Sequence, residues 1–195
     1  MKLILASQSP RRRELLSRLG LHFHVHAADI DETLEPDLPA YEQVARLSVK
    51  KAAAVAAADA REGDVVVAAD TVGVLDGKIL GKPRDQQEAR EMLTALSGRE
   101  HQVMTGVTVR KDGHAVTDTV VTHVHFRPLE QAEIEAYVAS GEPMDKAGAY
   151  GIQGLASIFV DRLDGDYYNV MGLPLCRLCE MLRSAGVAVL GMGGN

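Results

Sequence analysis

Short apolar runs alternate with longer stretches of helical spacing along most of the chain. Residues 2–6 read as a buried strand, and 11–19 as a helix closed by Gly20. From Leu21 to Ala27 apolar residues alternate with histidines. Residues 40–60 predict a long alanine-rich helix, and the unbroken run Val65–Ala69 fits a central strand. Val72–Leu75 and Lys78–Leu80 flank Asp76-Gly77, and Val103–Arg110 and Ala115–Phe126 flank Lys111-Asp112-Gly113, so two hairpins are expected. Helices are predicted over Gln86–Leu96, Glu130–Ala139 and Leu173–Ser184, the second with an acidic start that suits its dipole. Ile158–Leu163 and Val187–Leu190 read as strands, 141–155 as a glycine-rich loop, and 191–195 as a flexible tail. Strands alternating with helices indicate an α/β fold. Long antiparallel arms beside shorter βα units imply a mixed sheet, with a cleft between two lobes of a single domain over 1–190.

Length agrees with that picture, since 195 residues suit one domain. Trp is absent and aromatics are few, so the core must come from Ala, Val, Leu, Ile and Met. A net charge of −6 argues against a general nucleic-acid binder. A local basic cluster in an acidic chain instead suits a small anionic ligand. Cys176 and Cys179 lie within helical apolar spacing, with no second metal-ligand pair beside them, and are expected to be a buried structural pair. The first strand is too short for the apolar core of a signal peptide, and no run reaches the length of a membrane span. The expected compartment is the cytosol.

The chain start carries the first chemical signal. In Leu5-Ala6-Ser7-Gln8-Ser9-Pro10-Arg11-Arg12-Arg13 a strand runs through a small polar loop into a helix. Pro10 suits the first helical position. Unpaired N–H groups at a helix start attract anions, and a guanidinium fork matches phosphate oxygens. Ser7 and Ser9 add hydroxyls and let backbone approach closely. Consecutive helical residues project about 100° apart, so the three arginines cannot all meet one ligand.

Asp70 follows the apolar run Val65–Ala69. By position it is either a turn residue or a carboxylate at the carboxyl end of a buried strand, where α/β folds place ligands. Glu32 stands in an acidic loop, Asp29-Ile30-Asp31-Glu32-Thr33, that reads equally as solvated surface or as a ligand for Mg²⁺. Lys51 taken alone is an ordinary wet-face helix lysine. Lys82, in Gly81-Lys82-Pro83-Arg84-Asp85, is held in a constrained loop, with Arg84 and Asp85 serving the loop and the following helix start. Gln153 lies in Gly148-Ala149-Tyr150-Gly151-Ile152-Gln153-Gly154, and its amide complements the carbonyl and N3–H edge of uracil or thymine. His22, His24, His26, His123 and His125 alternate along strand-like segments; such spacing can bind zinc, but the polar face of a half-buried strand gives the same pattern.

The Ser-x-Ser-Pro-Arg-Arg start, Asp70-Thr71, Gly81-Lys82-Pro83-Arg84-Asp85 and Gly148–Gly154 occur in the order that characterises the Maf family of nucleoside triphosphate pyrophosphatases, which the chain resembles over nearly its whole length. The resemblance implies an elongated, twisted mixed β-sheet flanked by helices, of the Maf/ITPase-like kind, with the active site in a central cleft. It implies that Asp70 is the catalytic acid/base and that Glu32, with Asp70, holds a divalent metal cation, Mg²⁺ or Mn²⁺. Ser7, Ser9, Arg11, Arg12, Lys51 and Lys82 would meet the phosphates. Arg12, Thr71 and Gln153 match positions that mark the subgroup acting on dTTP and UTP; a sister subgroup acting on 7-methyl-GTP carries an acidic residue in place of Gln153.

The expected substrate is therefore a nucleoside triphosphate, with no nucleic-acid or membrane partner; a homodimer is left open. Two other readings remain: a 7-methyl-GTP pyrophosphatase, and a non-catalytic nucleotide-binding regulator of septum formation. A P-loop kinase is not indicated, since no Gly-x-x-x-x-Gly-Lys-Ser/Thr stretch occurs.

Overall fold

The computed structural model describes residues 1–33, 35 and 38–191. The elements follow in chain order: β1 Leu3–Leu5, α1 Pro10–Ser17, β2 His24–Val25, α2 Ala40–Asp59, β3 Val65–Leu75, β4 Lys78–Leu80, α3 Gln86–Leu96, β5 Glu100–Lys111, β6 His114–Phe126, α4 Gln131–Ala139, β7 Val160–Asp164, α5 Tyr167–Val170 and α6 Leu175–Ser184. Among the described residues the strands form one seven-stranded sheet in the order β2-β1-β3-β5-β6-β7, with β4 paired to β3 off that path. β1 is parallel to both β2 and β3, whereas β3/β4 and β6/β7 are antiparallel, so the sheet is mixed. Both Asp-Gly pairs sit at two-residue turns with left-handed backbone, at φ 51° and 76° for Asp76-Gly77 and 47° and 83° for Asp112-Gly113. That conformation matches strand twist, and Asp and Gly adopt it cheaply.

The chain divides into two compact units, Met1–Asp70 with Thr105–Val120 and Gly172–Asn195, and Thr71–Met104 with Val121–Met171. Strands β3, β5 and β6 contribute to both.

In the first unit α2 covers the sheet. Val66 and Ala68 of β3 and Ile4 and Ala6 of the first strand region pack with Ala52 and Val55 of α2. These small side chains bring helix and sheet close together. At Gly106 of β5 the approach is closest: a Cβ there would overlap the Val44 carbonyl of α2. Ser48 of α2 meets Thr108 of β5 through their hydroxyls at 2.7 Å, and Thr108 meets Thr117 of β6 at 2.9 Å. Buried hydroxyls left unpaired would be costly, so this chain of bonds helps set where α2 lies.

The second unit contains an aromatic cluster of His101, Phe126, Tyr137, Tyr150 and Phe159, meeting edge to face. Asn169 of α5 is fully buried and donates to the Val103 carbonyl at 3.0 Å. Glu133 caps α4 and pairs with both ends of the Arg127 fork, which draws its carboxyl down to about 2.

Several expectations are corrected. Asp70 does not close a strand: β3 continues to Leu75, and Asp70 lies inside it. The stretch 21–27 yields a strand only at His24–Val25. β7 starts at Val160, because 155–159 coils into a 3-10 turn. Val187–Leu190 forms no strand, with a single bridge at Val189. The cysteines are not a buried pair. Cys176 is exposed and Cys179 half-buried, because α6 buries the stripe Leu175, Leu178, Met181 and Leu182 and its phase turns the thiols away. The glycine-rich 141–155 segment holds further 3-10 turns at Glu142–Asp145 and Ala147–Ala149. Residues 192–195, most of the tail expected to fray, lie outside the described residues.

Candidate active site

The first unit brings Lys51, Asp70 and Glu32 together. Side chains alternate faces along a strand, so Asp70 shares the face of Val66 and Ala68, which α2 covers. On α2 the buried positions are Gln43, Val44, Leu47, Ser48, Lys51, Ala52 and Val55, a helical stripe with Lys51 in its middle. The wet-face reading of Lys51 is thereby corrected. Its ammonium donates to Asp70 Oδ1 at 2.7 Å and to Glu32 Oε2 at 2.9 Å. Lys51 is 8% exposed at its side chain and Asp70 12%, against 55% for Glu32. The centre is thus sealed on its strand side and open towards the loop after β2.

Arg12 belongs to the same electrostatic neighbourhood. Burial pulls its guanidinium below the ordinary range; the charge of Asp70 opposes this, Arg11 adds to it, and Glu32 opposes it again. Its Nε donates to the Gly172 carbonyl at 2.7 Å. Gly172 adopts φ 106°, a conformation that disfavours side chains. At the approach to α1 the Pro10 helix start falls where the sequence predicts. Ser9 is the N-cap, accepting from the Arg12 N–H, and Pro10 opens the helix. Ser7 Oγ accepts from the Ser9 N–H at 3.1 Å. Both serine oxygens are therefore turn acceptors. Arg13 points to solvent, while Arg11 and Arg12 are half-buried.

Two other acids, Asp31 and Glu35, have local work. Asp31 accepts from the backbone and hydroxyl of Thr33, and Glu35 pairs with Arg46 and Lys50. Asp70 Oδ2 and Glu32 Oε1 make no hydrogen bond among the described residues. Two carboxylates that converge on one cationic point, each with a second oxygen to spare, suit a hard divalent cation that completes its shell with phosphate oxygens and water. The described residues hold no cluster of three or more His, Cys, Asp or Glu able to enclose a metal by themselves. His123 and His125 pair with Glu100, and His26 with Asp59.

Lys82, Thr71 and Gln153 belong to the second unit. Lys82 is exposed and makes no ion pair among the described residues. Its loop is fixed from both sides. Asp85 caps α3, Arg84 pairs with Glu88, and the Gly81 carbonyl accepts from the Gly148 N–H at 3.0 Å. That last bond sets the lysine loop beside the glycine-rich loop. Within the latter, Glu142 accepts from Tyr137 Oη and from the Leu155 N–H, while Lys146 donates to the Glu142 carbonyl and to Asp145. A Cβ at Gly154 would overlap the Glu142 carboxylate, and one at Gly151 would come within 2.6 Å of Lys146 Cε. At both glycines the backbone runs directly against these two side chains. Gln153 stands exposed on this braced loop.

Sequence reasoning missed His101, which is 2% exposed and places Nε2 at 2.7 Å from Tyr150 Oη. Its signal was present, as His101 falls on the buried-side alternation His101, Val103, Thr105 of β5. Burial, chiefly, and then the His125 charge pull its pKa down to about 4, against the pull of Glu100. An unfolded histidine takes its proton near 6.5, so between that pH and about 4 the unfolded chain binds the extra proton. Stability is complete above that window and falls as pH drops through it, by about 3 kcal/mol. Urea unfolding of the parent at pH 7 and pH 4 should show this loss, and His101→Phe should lack that share of it. Equal pH dependence in the two proteins would contradict the assignment.

Fold and centre together define the class: an α/β protein with a carboxylate–ammonium centre between one sheet face and its covering helix, and arginines at the adjoining helix start. The chain belongs to the Maf family, since the family model described as Maf-like protein matches residues 2–185. A protein of Anaeromyxobacter sp. (strain Fw109-5) named dTTP/UTP pyrophosphatase is 54% identical over 190 residues, covering 95% of this chain and 90% of that one. A protein of the same name from Desulforamulus reducens is 48% identical over 190 residues, covering 96% and 98%. Among solved structures, the Staphylococcus aureus Ham1 protein has a TM-score of 0.45 at 16% identity, covering 65% of this chain and 72% of that chain. No helix among the described residues is long and apolar enough to cross a membrane.

Proposed function

We propose that this protein hydrolyses dTTP and UTP to the nucleoside monophosphate and pyrophosphate in the cytosol, removing unwanted pyrimidine nucleotides. The observation that carries the reading is the centre itself, with Lys51 bonded to both Asp70 and Glu32 and Arg12 within their field. Asp70 accepts the proton of a water molecule as its oxygen attacks the α-phosphorus. The bond from that phosphorus to the α–β bridging oxygen breaks, and pyrophosphate leaves. Lys51 holds Asp70 in place and adds positive charge near the phosphates. Arg11, Arg12, Lys82, Ser7 and Ser9 donate to phosphate oxygens, where charge-assisted bonds are strongest. Thr71 and Gln153, with Arg12, select the base.

Glu32 and Asp70 would hold Mg²⁺ or Mn²⁺, which when bound polarises the phosphate and offsets its charge. Chelation with EDTA should abolish turnover, and either cation should restore it. Turnover that survives exhaustive chelation would remove the metal from the reading.

The decisive experiment is product analysis with a nucleotide panel. Release of pyrophosphate from UTP and dTTP is the expected result. Preferred turnover of 7-methyl-GTP would instead place the chain in the sister subgroup. Tight nucleotide binding with no turnover of any nucleotide would make it a binding protein.

A further inference from the structure

Tyr150 and His101 form a polar pair inside an otherwise apolar cluster. The His101 ring meets Tyr150 and Phe126 edge to face, with centroids 5.3 and 5.1 Å apart, and Phe126 meets Tyr150 at 4.8 Å. His101 Nδ1 is buried and has no hydrogen-bond partner among the described residues. Two phenylalanines would fill the same space without leaving a polar atom unsatisfied. The pair therefore calls for a reason other than packing.

The reason lies in the loop that Tyr150 anchors. Gly148 and Ala149 are both left-handed, at φ 74° and 59°. For alanine that conformation costs about 1–2 kcal/mol and must be held by what surrounds it. Gly148 donates to the Gly81 carbonyl at the start of this kink, and the Gly151 N–H donates to Tyr137 Oη after it, at 3.3 Å. Between these two ties the chain is pinned from inside by Tyr150, whose hydroxyl can hold one depth and one ring setting because it shares a hydrogen bond with His101 Nε2 on β5. Gln153 follows three residues on, exposed.

We propose that the His101–Tyr150 hydrogen bond sets the position of the 148–153 loop, making both residues positioning residues for base selection by Gln153. This inference rests on Gln153 reading the base, as set out above.

The test compares kcat and KM for UTP and CTP, since cytosine lacks the N3–H and carries an amine in place of the carbonyl. The variants are His101→Phe, Tyr150→Phe, the double variant, His101→Gln and Gln153→Ala in the full chain. Each single phenylalanine variant should lower the UTP-over-CTP ratio of kcat/KM by about tenfold, through KM for UTP, with kcat nearly unchanged. The double variant should be no worse than either single one. His101→Gln, whose amide nitrogen stands where Nε2 does, should recover most of the ratio. Should a single variant fail to fold, the double variant, apolar on both sides, carries the comparison. Loss of the ratio in Gln153→Ala but not in the phenylalanine variants would overturn the proposal and leave the base reading intact. An unchanged ratio in Gln153→Ala would overturn both. A fall in kcat with KM unchanged would also overturn it.

Discussion

Asp70→Asn should lower kcat for UTP by about 10²–10⁴-fold, the usual contribution of a positioned general base, while nucleotide affinity measured without divalent metal stays the same or tightens. An amide keeps the size of the carboxylate and still accepts from Lys51, but it cannot take a proton from water. It also removes a negative charge that repels a triphosphate carrying about four of its own. Lys51 retains Glu32 as a partner, so its ammonium is not stranded. The affinity measurement separates roles. A variant that loses turnover but binds nucleotide places Asp70 in the chemical step. A variant with intact kcat and a raised KM would make Asp70 a binding residue, and the proposed water activation would fail.

Gly106→Ala should destabilise the fold by about 4 kcal/mol, beyond the usual cost of overpacking. The obstruction is the Val44 carbonyl, a backbone group within α2, and no rotamer change can move it aside. Relief requires α2 to lift from β5, which would pull Ser48 from Thr108 and shift Lys51 relative to Asp70. The melting temperature should fall by about 10 °C for a chain of this size. Residual activity at low temperature should fall as well, since the helix that moves carries the ammonium. A loss under about 1 kcal/mol would mean that α2 yields easily and that the close approach is incidental.

Where local chemistry dictates conformation, it was readable. Both Asp-Gly hairpin turns, the Pro10 helix start and the Asp85 cap follow from residue-level preferences that neighbours cannot overrule. Where conformation depends on phase or on remote partners, residue order alone does not decide it. The run Val65–Ala69 reads as a strand that ends at Asp70; β3 continues through it because Lys51, from another element, offsets the cost of burying the carboxylate. Cys176 and Cys179 share a helix with apolar neighbours, but a few tens of degrees of helix rotation decide which of them the core takes. His101 went unnoticed because its significance lies in Tyr150, 49 residues away along the chain.

Residue order was enough to establish an α/β chain with a helix start opened by Pro10, a constrained lysine loop and a glycine-rich loop bearing Gln153. Each of these rests on interactions within a few residues. The pairing of Lys51 with Asp70 and Glu32, the burial of that centre, and the seating of Tyr150 on His101 emerged with the folded chain. Those contacts join α2 to β3 and β5 to the 148–153 loop, and their energy exists only after the sheet register and helix placement have brought distant side chains within bonding distance.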